Sequence, residues 1–238
     1  CGMIASRHWI ASRWIGVRSH WAFLRPDRLH AQEEFLHMLK VRLPDGSVVE
    51  HPDGVSAADV IQALSPGLVR RAIAAKVDGR VVDSSTRLTG PEVAFKALTL
   101  DDPEGLEVAR HSCAHVMAEA VCSLWPQTKL AYGPPVDNGF YYDLELDHAL
   151  TPEDFLRIEA KMAEIVTADR PFPRYEMPRT EALDKLRAEG NPYKIDNAER
   201  ADGDRLSFYV TGRPGTSCFE DLCRGPHVET TRQINPAA

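Results

Sequence analysis

A chain of 238 residues, 43% of them hydrophobic and 26% charged, has a globular composition and can form two ordinary domains or one large one. No run of about 18 apolar residues occurs, which argues against a membrane-spanning helix. The formal net charge is −7, and a body this acidic repels phosphate at long range, so sequence-independent binding to nucleic acid is not expected.

The first residues differ from the rest of the chain in charge and pattern. Residues 1–30 hold five Arg against a single carboxylate, Asp27, and the chain starts with Cys rather than Met. The Arg-rich composition resembles a transit peptide, but the stretch has neither a helical nor a strand period. We therefore predict that residues 1–37 form a disordered or non-native extension and that the ordered protein begins near Met38.

The five cysteines indicate a reducing compartment. Their number is odd, no C-x-x-C spacing occurs, and no convincing secretory signal precedes them. Reduced thiols are typical of cytosolic proteins, so we expect a cytoplasmic protein.

Residues 38–100 have the pattern of a small α+β domain. Apolar residues alternate with Lys40 and Arg42, which predicts a half-buried strand. The predicted elements, in order, are a hairpin turning at Asp45-Gly46, a helix capped by Ser56 and ended by Pro66-Gly67, a second hairpin from Ala72, and a strand over residues 92–98. This order favours a β-grasp-like fold, although other small α+β domains share the pattern.

Residues 101–238 have the pattern of a larger α+β region that follows a short boundary at residues 101–105. The predicted elements are a helix from Leu106 to Leu124, a strand over 140–144, a helix opened by Thr151 and running to about Ala168, a helix capped by Thr180 and ended by Gly190, a strand over 206–210, and a closing loop at 221–227.

Two histidines lie one turn apart in the helix predicted from Leu106. His111 and His115 are at i and i+4, so they share a face with Cβ atoms about 5–6 Å apart and can share a metal ion or a water molecule. Ordinary surface or core histidines often have the same spacing. The pair therefore indicates a site only in combination with a second cluster.

The second cluster lies near the C-terminus, where Cys223 and His227 flank Gly225-Pro226. The Gly-Pro pair excludes a helix, so both residues lie in a tight loop, with Asp221 and Arg224 beside them. Together with the two helical histidines, they make a plausible tetrahedral set of three nitrogens and one sulfur. The pattern leaves open whether the fold brings the two clusters together.

Other candidate residues have ordinary explanations. Cys113 and Cys122 are expected in the core, Lys194 is a lone lysine in a loop, and Tyr141-Tyr142 favour strand packing over base stacking. No P-loop, dinucleotide-binding glycine motif or serine-hydrolase elbow occurs, so nothing indicates a nucleotide-phosphate site.

Three segments together carry a resemblance to a known family. They are residues 110–115 (RHSCAH), 133–143 (GPPVDNGFYYD) and 221–227 (DLCRGPH). In this order they strongly resemble bacterial threonyl-tRNA synthetases. The segment that opens with LPDGS at residues 43–47 is similar to that family's small β-grasp (TGS) domain, and the resemblance runs from about Met38 to the end of the chain.

The resemblance implies an α+β fold, with a TGS-like β-grasp domain at residues 38–100 and an editing domain of the threonyl/alanyl-tRNA synthetase type, C-terminally truncated, at residues 101–238. It implies hydrolysis of seryl-tRNA made in error, carried by six residues: His111, His115, Cys223, His227, Asp221 and Lys194. In related alanyl-tRNA deacylases the same set as His111, His115, Cys223 and His227 can hold zinc. The resemblance does not decide whether this site binds a metal. His111, or a Cys223 thiolate favoured by imidazolium or Arg224, could position or deprotonate the attacking water.

The resemblance also implies partners, namely the acceptor end of tRNA(Thr) and the remaining synthetase domains, with no DNA and no membrane. The family's aminoacylation domain, with its ATP and catalytic zinc sites, is absent from this chain, and a homodimer is expected only for the full-length enzyme. Two alternatives stay open. One is a module that binds RNA or a protein partner without catalysis, and the other is an inactive fragment of an incomplete gene model.

Overall fold

The computed structural model describes residues 38–213 and 219–234. The extension predicted at residues 1–37 lies outside the described residues, as do Cys1 and Cys218. The described residues all fall within one compact unit, and none of their helices is long and apolar enough to cross a membrane.

A five-stranded sheet forms the first part of the fold, with the strand order β2-β1-β5-β3-β4. Its strands are β1 (Met38–Arg42), β2 (Val48–Pro52), β3 (Ala72–Val77), β4 (Arg80–Val82) and β5 (Glu92–Thr99). β1 pairs antiparallel with β2 and parallel with β5, while β3 pairs antiparallel with β4 and β5. The two predicted hairpins and the last strand are therefore present, and the mixed sheet is that of a β-grasp arrangement.

Helix α1 (Ala57–Leu64) covers this sheet and begins where its sequence predicts. The Ser56 hydroxyl accepts the Asp59 N–H, and the Asp59 carboxylate accepts the Ser56 N–H in return, a capping box that satisfies two free donors of the first turn. Pro66-Gly67 does more than end α1. A second short helix, α2 (Pro66–Val69), starts there because Pro suits the first helical position.

Over its described residues, the second part of the fold combines four helices with short strands. The helices are α3 (Pro103–Leu124), α4 (Pro152–Thr167), α5 (Arg179–Glu189) and α6 (Pro192–Arg200), and a 3-10 turn spans Thr231–Gln233. The strands are β6 (Lys129–Leu130), β7 (Pro135–Val136), β8 (Gly139–Phe140), β9 (Leu144–Glu145), β10 (Arg174–Pro178), β11 (Arg205–Thr211) and β12 (Phe219–Leu222). β10, β11 and β12 form an antiparallel sheet, β6 pairs with β9, and β7 pairs with β8.

Several predicted boundaries are wrong in this part. Helix α3 begins at Pro103 rather than Leu106, since proline takes its first position. The strand predicted over 140–144 is instead the ends of two short strands with a break at residues 141–143. Pro178, not Thr180, occupies the cap position of α5, whereas Gly190 ends that helix in a left-handed conformation as predicted.

One hydrophobic cluster joins the sheet to the helices that follow it. Ile73, Ala74 and Leu98 of the sheet are buried together with residues of α3, α4 and the C-terminal loop, among them Val116 and Val228. The two parts thus share apolar packing across residue 100. The predicted domain boundary at that residue stays a prediction.

Candidate functional site

The two predicted clusters of donor residues meet at one place in the fold. Helix α3 presents His111 and His115 one turn apart, and the loop after β12 presents Cys223 and His227 against them. One ligand atom from each of the four side chains lies within 4.8 Å of the others. His115 and His227 are buried, whereas His111 and Cys223 are half-buried.

Hydrogen bonds on the far side of two rings determine which nitrogen carries the proton. His111 Nδ1 lies 3.3 Å from the Pro226 carbonyl oxygen, which can only accept, so Nδ1 carries the proton. The Ser112 hydroxyl donates to the Val108 carbonyl at 2.9 Å, so it accepts from His227 Nδ1 at 3.0 Å. In both histidines, Nε2 is left with a free lone pair.

Both free lone pairs point at the same thiol. Cys223 Sγ lies 3.3 Å from His111 Nε2 and 3.4 Å from His227 Nε2, and it accepts the Gly225 N–H at 3.2 Å. A thiol has one proton and can satisfy only one imidazole nitrogen at a time. The arrangement therefore contains one more acceptor than it has protons to offer.

The protonation states differ from the expectation of a Cys223 thiolate beside a cation. Burial raises the pKa of Cys223 to about 12, and burial lowers the pKa of His111 below its usual value. The pKa of His227 is lowered still further, by burial and by the neighbouring rings of His115 and His111. Arg224 is exposed on the surface. Near neutral pH the site therefore holds a thiol and neutral imidazoles.

His115 is the least satisfied member of the group. Burial lowers its pKa to about 3, against the attraction of Asp221. Its Nδ1 has no hydrogen-bond partner among the described residues, and its Nε2 lies 4.0 Å from Asp221 Oδ2. A buried ring nitrogen without a partner is costly, which makes it a candidate ligand atom.

The four residues fit a metal ion by this test. They offer neutral imidazole nitrogens and one sulfur within a small radius, and one of those imidazoles has an orphaned buried nitrogen. Three nitrogens and one sulfur are a donor set that zinc binds in tetrahedral geometry, with bonds of ~2.0–2.3 Å.

A buried charge pair lies next to the four donors. Lys194 Nζ is 2.7 Å from Asp221 Oδ1, and Tyr142 donates its hydroxyl to Asp221 Oδ2 at 2.6 Å while accepting from Lys194 at 3.1 Å. Burial acts to raise the pKa of Asp221, but the charge and hydrogen bond of Lys194, the His115 ring and the Tyr142 hydroxyl together outweigh it and keep the pKa below its usual value. Asp221 is therefore ionised at neutral pH.

The structure corrects two predictions about these residues. Lys194 is not in a loop but in the first turn of α6, where the Asn191 side chain accepts from the Tyr193 and Lys194 amides. Tyr142 is not a strand-packing residue, since its hydroxyl belongs to the charge pair. Its ring lies on Gly133, where an added Cβ would come within 2.3 Å of it.

A cavity of about 730 Å³ opens over the site. His111, His115, Lys194, Asp221 and Cys223 are among the residues that line it, together with arginines of the surrounding strands and loops. His227 is almost fully buried and lies behind Cys223. The cavity thus brings solvent, or a ligand, to five of the six residues singled out in the sequence.

Sequence reasoning missed two side chains of this site. Ser112 fixes the His227 ring, and it lay directly after His111 within the segment 110–115 that carried the family resemblance. Tyr142 lay within the segment 133–143 that carried the family resemblance, so that segment could have indicated it.

Comparison with known proteins agrees with the fold. The family model of the TGS domain matches residues 39–93, which include β2, β3, β4, all of β1 but its first residue, and the first two residues of β5. The fold and the match define a chain with a TGS domain followed by a larger α+β region.

Curated relatives identify the region more narrowly. A threonine–tRNA ligase of Symbiobacterium thermophilum is 44% identical over 198 residues, and one of Clostridioides difficile is 41% identical over 198 residues. Each match covers 83% of this chain and 30% of the relative. One of Erythrobacter litoralis is 42% identical over 206 residues, 84% of this chain and 31% of the relative. The chain thus spans about three tenths of the relatives it matches, and it is related to the N-terminal region of threonine–tRNA ligases.

Proposed function

We propose that the cavity is an editing site that hydrolyses seryl-tRNA formed in error on the tRNA for threonine. The observation that carries the proposal is the meeting of His111, His115, Cys223 and His227 on one cavity, beside the Lys194–Asp221 pair. The relatedness to threonine–tRNA ligases supplies the substrate, because serine is the amino acid that such an enzyme can least readily reject.

The chemical need for such a site follows from the size of one methyl group. Serine lacks one methyl relative to threonine, and a methyl is worth only ~1–3 kcal/mol of discrimination in a binding pocket. A second site that accepts only the smaller product multiplies the selectivity of the first.

The reaction is the addition of water to the ester carbonyl, followed by cleavage of the bond to the ribose oxygen, which gives serine and free tRNA. His111 has the lone pair that this proton transfer needs, because its Nε2 is unprotonated, its ring lines the cavity, and its lowered pKa keeps it neutral. It would accept the proton of the attacking water and return it to the leaving ribose oxygen.

Lys194 and Asp221 would orient the aminoacyl group. Two of the three ammonium hydrogens of Lys194 are directed at Asp221 and Tyr142, and the third has no partner among the described residues. The third can donate to the substrate carbonyl or to the serine hydroxyl. Because Asp221 balances the charge of Lys194, the pair remains in place without substrate.

The Cys223 thiol lies between two imidazole lone pairs, so it would hold a proton close to the reacting water without becoming a thiolate. Zinc, when bound, would be held by His111, His115, Cys223 and His227 and would supply Lewis-acid stabilisation of developing negative charge. The metal would then occupy the His111 lone pair, so the acid-base role of His111 belongs to the metal-free site. The acceptor end of tRNA(Thr) and the remaining synthetase domains are the proposed partners, in the cytoplasm.

Paired variants test the proposal through deacylation of seryl-tRNA(Thr). His111→Ala should slow hydrolysis about a hundredfold or more, since a positioned acid-base group contributes that much. The matched control is His148→Ala, because the side chain of His148 is 40% exposed and is not part of the cavity lining. Hydrolysis by His111→Ala at the wild-type rate would overturn the proposal, whereas a purely RNA-binding module would retain tRNA but hydrolyse nothing.

A further inference from the structure

A carboxylate next to the five-stranded sheet, that of Asp83, accepts hydrogen bonds from two residues that hold the site loop in place. Asp83 follows β4, inside the span matched by the TGS model, and both of its oxygens are used by residues far along the chain. Oδ1 accepts the backbone N–H of His227 at 2.9 Å, and Oδ2 accepts the hydroxyl of Tyr209 at 2.6 Å.

Tyr209, which donates to Asp83, also packs against His227 and Gly225 of the loop after β12. Its ring meets the His227 ring edge-on at 4.5 Å between centroids. Its hydroxyl lies where a Cβ on Gly225 would be, at 1.9 Å, so the loop backbone packs directly against it. Asp83 therefore determines the position of the loop at two points, one through a hydrogen bond and one through a ring.

These two points enclose the part of the loop that faces the site. Cys223 and Gly225 precede His227, and the Gly225 N–H donates to the Cys223 sulfur. A shift of the His227 backbone would change the distances of 3.4 Å to Cys223 and 3.0 Å to Ser112. Asp83 itself is not among the residues that line the cavity.

We infer that Asp83 is a positioning residue of the site: through this carboxylate the TGS domain holds loop 223–227 in the geometry that faces Cys223 and His227 toward His111. The inference goes beyond the proposed function, because it gives the TGS domain a role in the cavity of the neighbouring region. Only the kinetic part of its test rests on that proposed function.

Four single variants of the full chain, and the double variant that combines Asp83→Asn with Tyr209→Phe, separate positioning from general stability. Asp83→Ala removes both acceptors, and Asp83→Asn keeps the shape and one acceptor oxygen but cannot serve both donors. Tyr209→Phe removes the donor that the Asn variant leaves unserved. Asp78→Asn is the control, since Asp78 lies on the same hairpin and its side chain accepts the Ala94 N–H, within the sheet.

The first readout is NMR of the protein without substrate. In Asp83→Ala, exchange of the His227 amide should accelerate about tenfold or more, and the imidazole signals of His111 and His227 should move. Asp83→Asn should show a smaller change, which the double variant with Tyr209→Phe should partly reverse. Asp78→Asn should leave both readouts at wild-type values. If Asp83→Ala does not fold, Asp83→Asn and its double variant with Tyr209→Phe decide the question.

The second readout is deacylation of seryl-tRNA. Loss of a positioning contact should lower kcat of Asp83→Ala about 10–100-fold with little change in KM, and Asp83→Asn should recover most of the rate. Wild-type protein that hydrolyses nothing would contradict the proposed function, while the NMR result would still decide the inference. The inference would be overturned if Asp83→Ala left the His227 amide exchange and the imidazole signals unchanged. It would also be overturned if Asp83→Asn could not be distinguished from the control Asp78→Asn.

Discussion

At the scale of single residues, the site combines neutral donors with one balanced charge pair. Burial keeps Cys223 protonated and the histidines uncharged, while Lys194 and Asp221 compensate each other in the interior. A lone buried charge would be costly, so each of these two residues depends on the other. Histidine spacing could be recognised in the sequence, but the protonation states could not, because they follow from burial.

The protonated thiol has a measurable consequence. Alkylation requires the thiolate, so Cys223 in the folded protein at pH 8 should react more than about tenfold more slowly than in urea, since a pKa of about 12 leaves little thiolate. Peptide mass spectrometry after iodoacetamide treatment measures this rate at each cysteine. Cys113 is the internal control, because burial also raises its pKa, to about 11. Rapid labelling of Cys223 alone would contradict the account and indicate an activated thiolate.

The charge pair predicts a large loss of stability. Asp221→Asn should lower the free energy of unfolding by about 3 kcal/mol, because it leaves the Lys194 ammonium buried without a counter-charge. Urea unfolding measures the change. Glu199→Gln breaks the exposed Arg187–Glu199 pair and should cost less than about 1 kcal/mol. Equal costs for the two variants would show that the interior pair is not buried as described.

At the scale of secondary-structure elements, prediction succeeded where the signals were local. Ser56 and Thr151 are the N-cap residues of α1 and α4 as predicted, because each cap pairs with a residue only three positions further along. Helix α6 was missed, although Asn191 followed by Pro192 is a start signal of the same kind. The continuous strand predicted over 140–144 is wrong because its two ends pair with different strands, β8 with β7 and β9 with β6.

The loop after β12 requires glycine at position 225, both for its backbone conformation and for the space that Tyr209 leaves. Gly225 has φ +71° and lies against Tyr209, whereas Gly190 has φ +73° and no heavy atom within 4 Å of an added Cβ. Gly190→Ala should cost about 1–2 kcal/mol from the left-handed backbone alone. Gly225→Ala should cost clearly more by urea unfolding, and it should also displace the imidazole NMR signals of His227. Equal costs, with unmoved signals, would mean that the loop does not pack on Tyr209.

At the scale of the whole molecule, the site exists because two distant stretches of chain share a core. Val108 and Val116 of α3 and Val228 of the closing loop belong to one buried cluster with Leu98 of the sheet. The spacing of residues along the chain does not predict such packing. The sequence pattern therefore left open whether the histidine pair of α3 meets Cys223 and His227. The family resemblance implied that they do, and the structure brings them within one small volume.

The same packing explains why the neighbouring TGS domain can act on the site at all. The Asp83 contacts and the Gln233 side chain, which donates to the Ala72 carbonyl at 3.0 Å, both cross from the sheet to the C-terminal segment. Contacts of this kind depend on two side chains that nothing in the local pattern singles out. They could be found only after the fold was known.

The most direct test of the central claim is the ratio of two hydrolysis rates measured with the wild-type protein. Seryl-tRNA(Thr) and threonyl-tRNA(Thr) are incubated with it at equal concentrations, and the release of amino acid is followed, with Cys223→Ala in parallel. Exclusion of one methyl should make seryl-tRNA the faster substrate by about tenfold or more, and Cys223→Ala should lose most of that rate. Equal rates on the two substrates, or a Cys223→Ala variant as active as wild type, would contradict a serine-selective editing site.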